Sequence, residues 1–311
     1  MTKPPAATAI LPRFFFFQRG FLNANHFAYL CQHPVLIDTG YLADWDVTEA
    51  LLAGVGLNID QTARIINTHS HCDHVGGNRR IQDRSGCEIA MHPQGVVFSQ
   101  QKDRRSTWWT YYHQEAELFQ ATRSLEDGEM IRVGPYPFEV IHTPGHAADG
   151  LVLYQHQEKM LLSSDALWER DFPVMTLPVE GDDAVDTMLA SLDKIAGLPV
   201  KRVYPGHGPP FTDYQGALKR ALARLEGFQK NPELVGWDVV KKIIIYTIMM
   251  KRRMAIDTFF DHLMNTAWYP ETVGRYFDGE SRSVYDQVIS EFETRNIIKR
   301  DGPDWVTTVR P

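Results

Sequence analysis

The chain predicts an α/β fold in which helices cover sheets. Short apolar runs that end in Gly, Pro or Asp recur in both halves, as strands do. Stretches of helical periodicity, such as 78–85 and 182–196, fall between them. The 311 residues are 43% hydrophobic and 23% charged, a balance that supports a large buried core. No internal repeat with a period of roughly 20–50 residues is present, which excludes a solenoid.

In chain order, 14–17 (four phenylalanines) and 26–31 read as neighbouring strands. A third, 35–37, ends in Asp38-Thr39-Gly40, a strand-to-turn signal. Residues 46–53 read as a helix with Asp44 or Asp46 near its cap. The buried strand 63–67 runs into Thr68-His69-Ser70-His71-Cys72-Asp73-His74, too polar to be core. A helix over 78–85 and a strand over 88–91 follow. Residues 130–133 and 138–142 form a hairpin around Gly134-Pro135, and 151–154 with 160–163 form another. The amphipathic helix 182–196 leads to a strand over 200–204 and to Pro205-Gly206-His207-Gly208. A break at Asn231-Pro232 divides the chain into 1–230 and 231–311.

The net charge of −7 is not that of a chain built to coat nucleic acid or an anionic membrane. Cys31, Cys72 and Cys87 are too few and too scattered for a disulfide framework. No apolar core of signal-peptide length is visible. The apolar run 243–250 is far shorter than the ~20 residues a membrane span needs. A cytoplasmic location is expected.

His69-x-His71-x-Asp73-His74 packs three imidazoles and a carboxylate into six residues directly after a strand. In an extended or turning loop, alternate residues share a side, so His69 and His71 can address one ion and Asp73 with His74 another. Neutral imidazole and carboxylate are ligands for zinc and related divalent metals. His146, Asp165 and His207 also follow strands. Both histidines sit in Pro-Gly-His turns, where the proline fixes the entry and the glycine permits a positive φ. Cys72 reads as a small filler between these groups, and Tyr204 either reaches the site or belongs to the core.

The run from Thr68 to Gly77, Thr143-Pro144-Gly145-His146, Asp165 and Pro205-Gly206-His207-Gly208 together resemble the metallo-β-lactamase fold superfamily. The resemblance implies a four-layer αβ/βα sandwich with the site at one edge of its two sheets. It implies two divalent metal ions, with zinc favoured and iron or manganese accepted by the same donors. One ion takes His69, His71 and His146; the other takes Asp73, His74 and His207; Asp165 bridges them. Asp38 matches a buried position that orients the metal loop. Asp73 is the catalytic candidate, holding the nucleophilic water and moving its proton.

Residues 272–277 and 281–296, then a hairpin around Asp301-Gly302, resemble the winged-helix-like unit of the β-lactamase-like protein 2 group. Its charges nearly balance, so it offers no clustered cations for phosphate. An aromatic insert at 98–125 supplies Trp108, Trp109 and Tyr112. With Trp168 and Phe172 they are candidates for an apolar wall over the metals. The expected function is therefore hydrolysis of a small, partly apolar ester, thioester or lactone. The rivals are a single-stranded RNA endonuclease and a regulatory binder with a vestigial site. The expected partner is a small-molecule substrate rather than nucleic acid or membrane, with a homodimer as a further expectation.

Overall fold

The computed structural model describes residues 7–309. Seven strands form the first sheet in chain order: β1 (Ala7–Leu11), β2 (Phe14–Phe17), β3 (His26–Tyr29), β4 (Val35–Ile37), β5 (Arg64–Ile66), β6 (Glu88–Met91) and β7 (Arg123–Ser124). The first four pair antiparallel, and β4 to β7 run parallel. The second sheet holds β8 (Met130–Val133), β9 (Tyr136–His142), β10 (Leu151–Gln155), β11 (Met160–Ser164) and β12 (Arg202–Pro205), in the order β12-β11-β10-β9-β8.

Alternation along each strand divides its side chains between two cores. Phe14, Phe16, Ile37 and Ile66 meet Phe138, Val140, Leu153 and Leu162 between the sheets. The alternate residues Phe17, Leu36 and Ile65 face outward under the helices Trp45–Gly54 and Asn78–Ser85. On the opposite outer face, Val152, Leu161 and Val203 pack beneath the helices Ala184–Ala196 and Tyr214–Lys230. The result is the four-layer αβ/βα sandwich. Tyr204 stacks edge-on against Phe16 and belongs to the inter-sheet core.

The third core runs past Asn231. The helix Glu233–Lys251 buries Val239, Ile244 and Ile248 in it, and Trp268 and Trp305 extend it into the C-terminal region. There the helices Ile256–Met264, Trp268–Tyr276 and Ser281–Thr294 precede the hairpin Ile298–Asp301 and Asp304–Thr307, which Met254–Ala255 joins as a third strand. Among the described residues no helix is long and apolar enough to cross a membrane. The edge strand β1, half-exposed and paired with β2, carries no strand signal in the sequence. The aromatic insert has little regular structure. It begins in the helix Pro93–Gln101 and continues through turns and irregular backbone.

One contact fixes the metal loop to the sheet. Gly76 N donates to Gly40 O at 2.7 Å, and a Cβ at Gly76 would stand 2.2 Å from Leu42 N and 2.5 Å from Tyr41 C. Both obstacles are backbone, so neither can rotate away. Gly76→Ala is expected to cost about 3 kcal/mol through overpacking. Urea unfolding measures this as a lowered midpoint; an unchanged midpoint would mean that the two segments separate easily.

Candidate metal centre

Five strands end at one edge of the sandwich, and each delivers a polar residue there. β4 leads to Asp38, β5 through Thr68 to His69, β9 to His146, β11 to Asp165 and β12 to His207. Backbone bonds hold the turns beyond the strands: Leu151 N donates to Thr68 O at 2.8 Å, and Gly206 N to Ser164 O at 2.7 Å. After His71 the chain enters the short helix Cys72–Val75, which carries Asp73 and His74. Asp38 (φ 56°), just after β4, and Ser164 (φ 45°), at the end of β11, adopt left-handed backbone that non-glycine residues seldom take.

The structure brings all seven proposed ligands together. His69, His71 and His146 offer nitrogens within 4.8 Å of one another, and so do the donor atoms of His69, His74 and Asp165 and of Asp73, His74 and His207. Asp165 Oδ2 lies 3.4 Å from His74 Nε2, 3.4 Å from His146 Nε2 and 3.6 Å from His207 Nε2. Asp73 Oδ2 lies 3.0 Å from His207 Nε2.

The donor set fits divalent cations. His146 gives its Nδ1 proton to Val174 O at 2.7 Å, which leaves the Nε2 lone pair 3.1 Å from His71 Nδ1. His69 Nε2 and His74 Nε2 are buried with no hydrogen-bond partner. Buried polar atoms without partners are costly, and a cation beside them removes the cost. Burial, reinforced by the neighbouring imidazoles, holds His69 and His71 well below the ordinary histidine pKa, the neutral form a metal needs. Burial also opposes charge on His74, but Asp165, Asp38 and Asp73 outweigh it and raise its pKa. Burial likewise disfavours the Asp165 anion, yet His207, His74 and His146 hold its pKa well below the carboxylate range.

A set of hydrogen bonds orients the ligands. Asp38 accepts from Thr68 N at 2.8 Å, from Thr68 Oγ1 at 2.7 Å and from His74 Nδ1 at 2.9 Å. The His74 ring is thus turned Nε2-first into the cluster. Asn25 holds the His207 turn by donating to Pro205 O and Gly208 O. Glu180 Oε1 lies 3.8 Å from His71 Nε2. Burial and the nearby Asp149 raise the Glu180 pKa, and burial pushes Asp149 up to about 7 against the Ser70 hydrogen bond. Asn25, Asp149 and Glu180 are not evident from the sequence.

The two Pro-Gly-His turns use glycine differently. Gly145 has a φ of +133°, as the turn reading requires. Gly206 has no positive φ; a Cβ there would lie 2.0 Å from Asp165 Oδ1, so glycine is needed for space.

Aromatic side chains close over the cluster. Trp108 stacks on His71 with ring centroids 3.7 Å apart, and Trp168 Nε1 donates to Asp165 Oδ1 at 3.2 Å. With Phe21, Leu22, Gln114 and Tyr246 they enclose a space of about 10 Å³ above Asp73, His146, Asp165 and His207. That is the scale of a single water. Three residues expected in this wall lie elsewhere. Tyr112 is buried behind Trp108 and bonds Thr176 Oγ1 at 2.8 Å. Trp109 faces Arg104 at a separate surface hollow. Phe172 is buried against Phe228. Cys72 is fully buried and its Sγ donates to Thr107 O, consistent with a filler. Tyr246 and Phe21 carry no signal in the sequence, since each is one aromatic residue on a segment remote from the motifs.

A sandwich with imidazoles and carboxylates gathered where its strands end suits hydrolysis assisted by divalent metals. The chain belongs to the metallo-beta-lactamase superfamily, whose family model matches residues 25–207. A Beta-lactamase-like protein 2 homolog of Caenorhabditis elegans is 26% identical over 217 residues, 67% of this chain and 66% of that protein. A hydroxyacylglutathione hydrolase of Marinomonas sp. (strain MWYL1) is 31% identical over 156 residues, 50% of each chain. The match thus spans between half and two-thirds of these two relatives. A solved metallo-beta-lactamase family protein from Thermus thermophilus shares the fold with a TM-score of 0.62 at 20% identity, over 96% of this chain and 100% of that one.

Proposed function

We propose that the protein is a dinuclear metal-dependent hydrolase of a small, partly apolar thioester, ester or lactone, with a thioester the favoured substrate. The observation that carries the reading is the position of Asp165 Oδ2, within 3.6 Å of nitrogens from His74, His146 and His207. A carboxylate so placed can serve both ligand sets: His69, His71 and His146 on one side, Asp73, His74 and His207 on the other. Zinc is the inferred metal, since it takes nitrogen and oxygen donors readily. The Marinomonas relative, named for a thioester substrate, supports the choice of bond.

Divalent cations bound there supply Lewis acidity and a water acidified toward neutrality. The chain's own groups do the rest. In this reading Asp73 accepts a proton from the attacking water and returns it to the leaving group. Tyr246 lines the space above the cluster, where its phenol is the proposed hydrogen-bond donor to the developing oxyanion. Trp108, Trp168 and Phe21 exclude bulk water.

An RNA-cleaving role finds little support in the C-terminal helix Ser281–Thr294, where Arg282 pairs with Asp286; just beyond it, Arg295 pairs with Glu291. A panel of acyl thioesters, aryl esters, lactones and single-stranded RNA tests the proposal. Thioester turnover that disappears with a chelator and returns with zinc is expected. Metal-replete protein inactive on every acyl substrate would overturn the reading, and RNA cleavage alone would replace it.

A further inference from the structure

The helix Glu233–Lys251 does more than pack against the sandwich. Tyr246 from this helix and Phe21 from the β2–β3 connection help enclose the small space above the cluster. The same two residues also wall a much larger open cleft, about 510 Å³, on their other side. That volume is typical of a small-molecule site. Ile245 and Met249 from the helix, with Phe292 and Ile297 from the C-terminal region, give the cleft an apolar wall.

The charges around it decide what it holds. Arg224 and Lys242 both pair with Asp171 and Asp238. Lys241 and Arg295 share Glu291. Each lining cation is therefore already paired, three carboxylates serving four cations, so the group leaves one net positive charge. The surface still lacking a partner is the apolar wall.

We infer that this cleft is the acyl-chain site. The chain of an uncharged aliphatic acyl group lies along Ile245, Met249 and Phe292 while its carbonyl reaches the cluster past Phe21 and Tyr246. In this arrangement Phe21, 41% exposed, turns toward solvent to admit the carbonyl. This inference rests on the thioesterase reading and adds substrate class to it. In the reaction water adds to the carbonyl carbon, the C–S bond breaks, and the thiol leaves with a proton; no oxidant or reductant is needed.

The test uses the zinc-loaded full chain and a series of acyl thioesters from acetyl to decanoyl, each made with a short neutral thiol and with a nucleotide-bearing thiol. Calorimetric titration with decanoate supplies a readout independent of turnover. The specificity constant is expected to rise roughly threefold per methylene until the cleft is full. Met249→Trp should shift the preferred length shorter and weaken decanoate binding at least about tenfold. Ile245→Ala, which only removes atoms, should shift the preference longer. Turnover that ignores chain length, with decanoate binding unaltered by either variant, would overturn the cleft assignment and leave the hydrolase reading standing. Decanoate binding sensitive to both variants, without turnover at any length, would retain the cleft and sink the thioesterase reading. A strong preference for the nucleotide-bearing thiol at every acyl length would place the leaving group in the cleft and overturn the inference.

Discussion

Asp165→Ala is expected to lower the specificity constant at least about 10³-fold, on the order of 4 kcal/mol of transition-state stabilisation, and to reduce bound metal to one ion per chain or fewer. Its Oδ2 is the atom nearest to nitrogens from both halves of the cluster. Without it, five buried imidazoles retain one carboxylate ligand, Asp73, which lies close to His207 and His74 only. The His69–His71–His146 side then keeps only Glu180, 3.8 Å from His71 Nε2 and held toward its neutral form by burial, to offset a cation's charge. Asp165→Asn keeps the shape and the Trp168 contact while losing the charge, and should fall between the two. Elemental analysis beside steady-state kinetics checks both halves of the expectation. An alanine variant that kept two metals and near-parental turnover would remove Asp165 from the bridging role.

The contrast between what the sequence reveals and what it conceals is physical. A metal loop needs several ligands at short spacing, so His69, His71, Asp73 and His74 stand out against any background. The strands are legible because a two-core sandwich makes neighbouring residues alternate, as Phe16 inward and Phe17 outward. Glu180, Asn25 and Tyr246 are not legible. Each is a single common residue on a remote segment, brought to the cluster only by tertiary packing. The aromatic insert misleads for another reason. Without regular backbone from Asp103 onward, no periodicity says which rings face the cluster, so Trp108 reaches it while Trp109 and Tyr112 do not. Gly206 shows a subtler gap: its turn motif suggests positive φ, but the need is room for Asp165.

Asp38→Ala should produce the second large effect, on stability and metal affinity together. The carboxylate is 2% exposed and accepts from Thr68 N, Thr68 Oγ1 and His74 Nδ1 at once. Ser164 Oγ donates in turn to Thr68 Oγ1 at 2.7 Å, so the strand ends of β4, β5 and β11 are linked through Asp38 and Thr68. Removing it strands a buried imidazole and a buried amide, for which a cost of about 3–5 kcal/mol is expected. It also frees the His74 ring to rotate, and loss of such an orienting partner weakens metal binding about 10- to 100-fold. Asp38→Asn retains an acceptor for Thr68 N but not the charge facing His74. It should recover much of the stability and little of the metal affinity. Urea unfolding of metal-free protein, set beside zinc titration against a competing chelator, separates the two effects. Metal affinity that stayed constant while stability fell would make Asp38 a strut for the sheet edge alone. A joint loss, with the asparagine variant split between the two readouts, is what its bond to His74 Nδ1 demands.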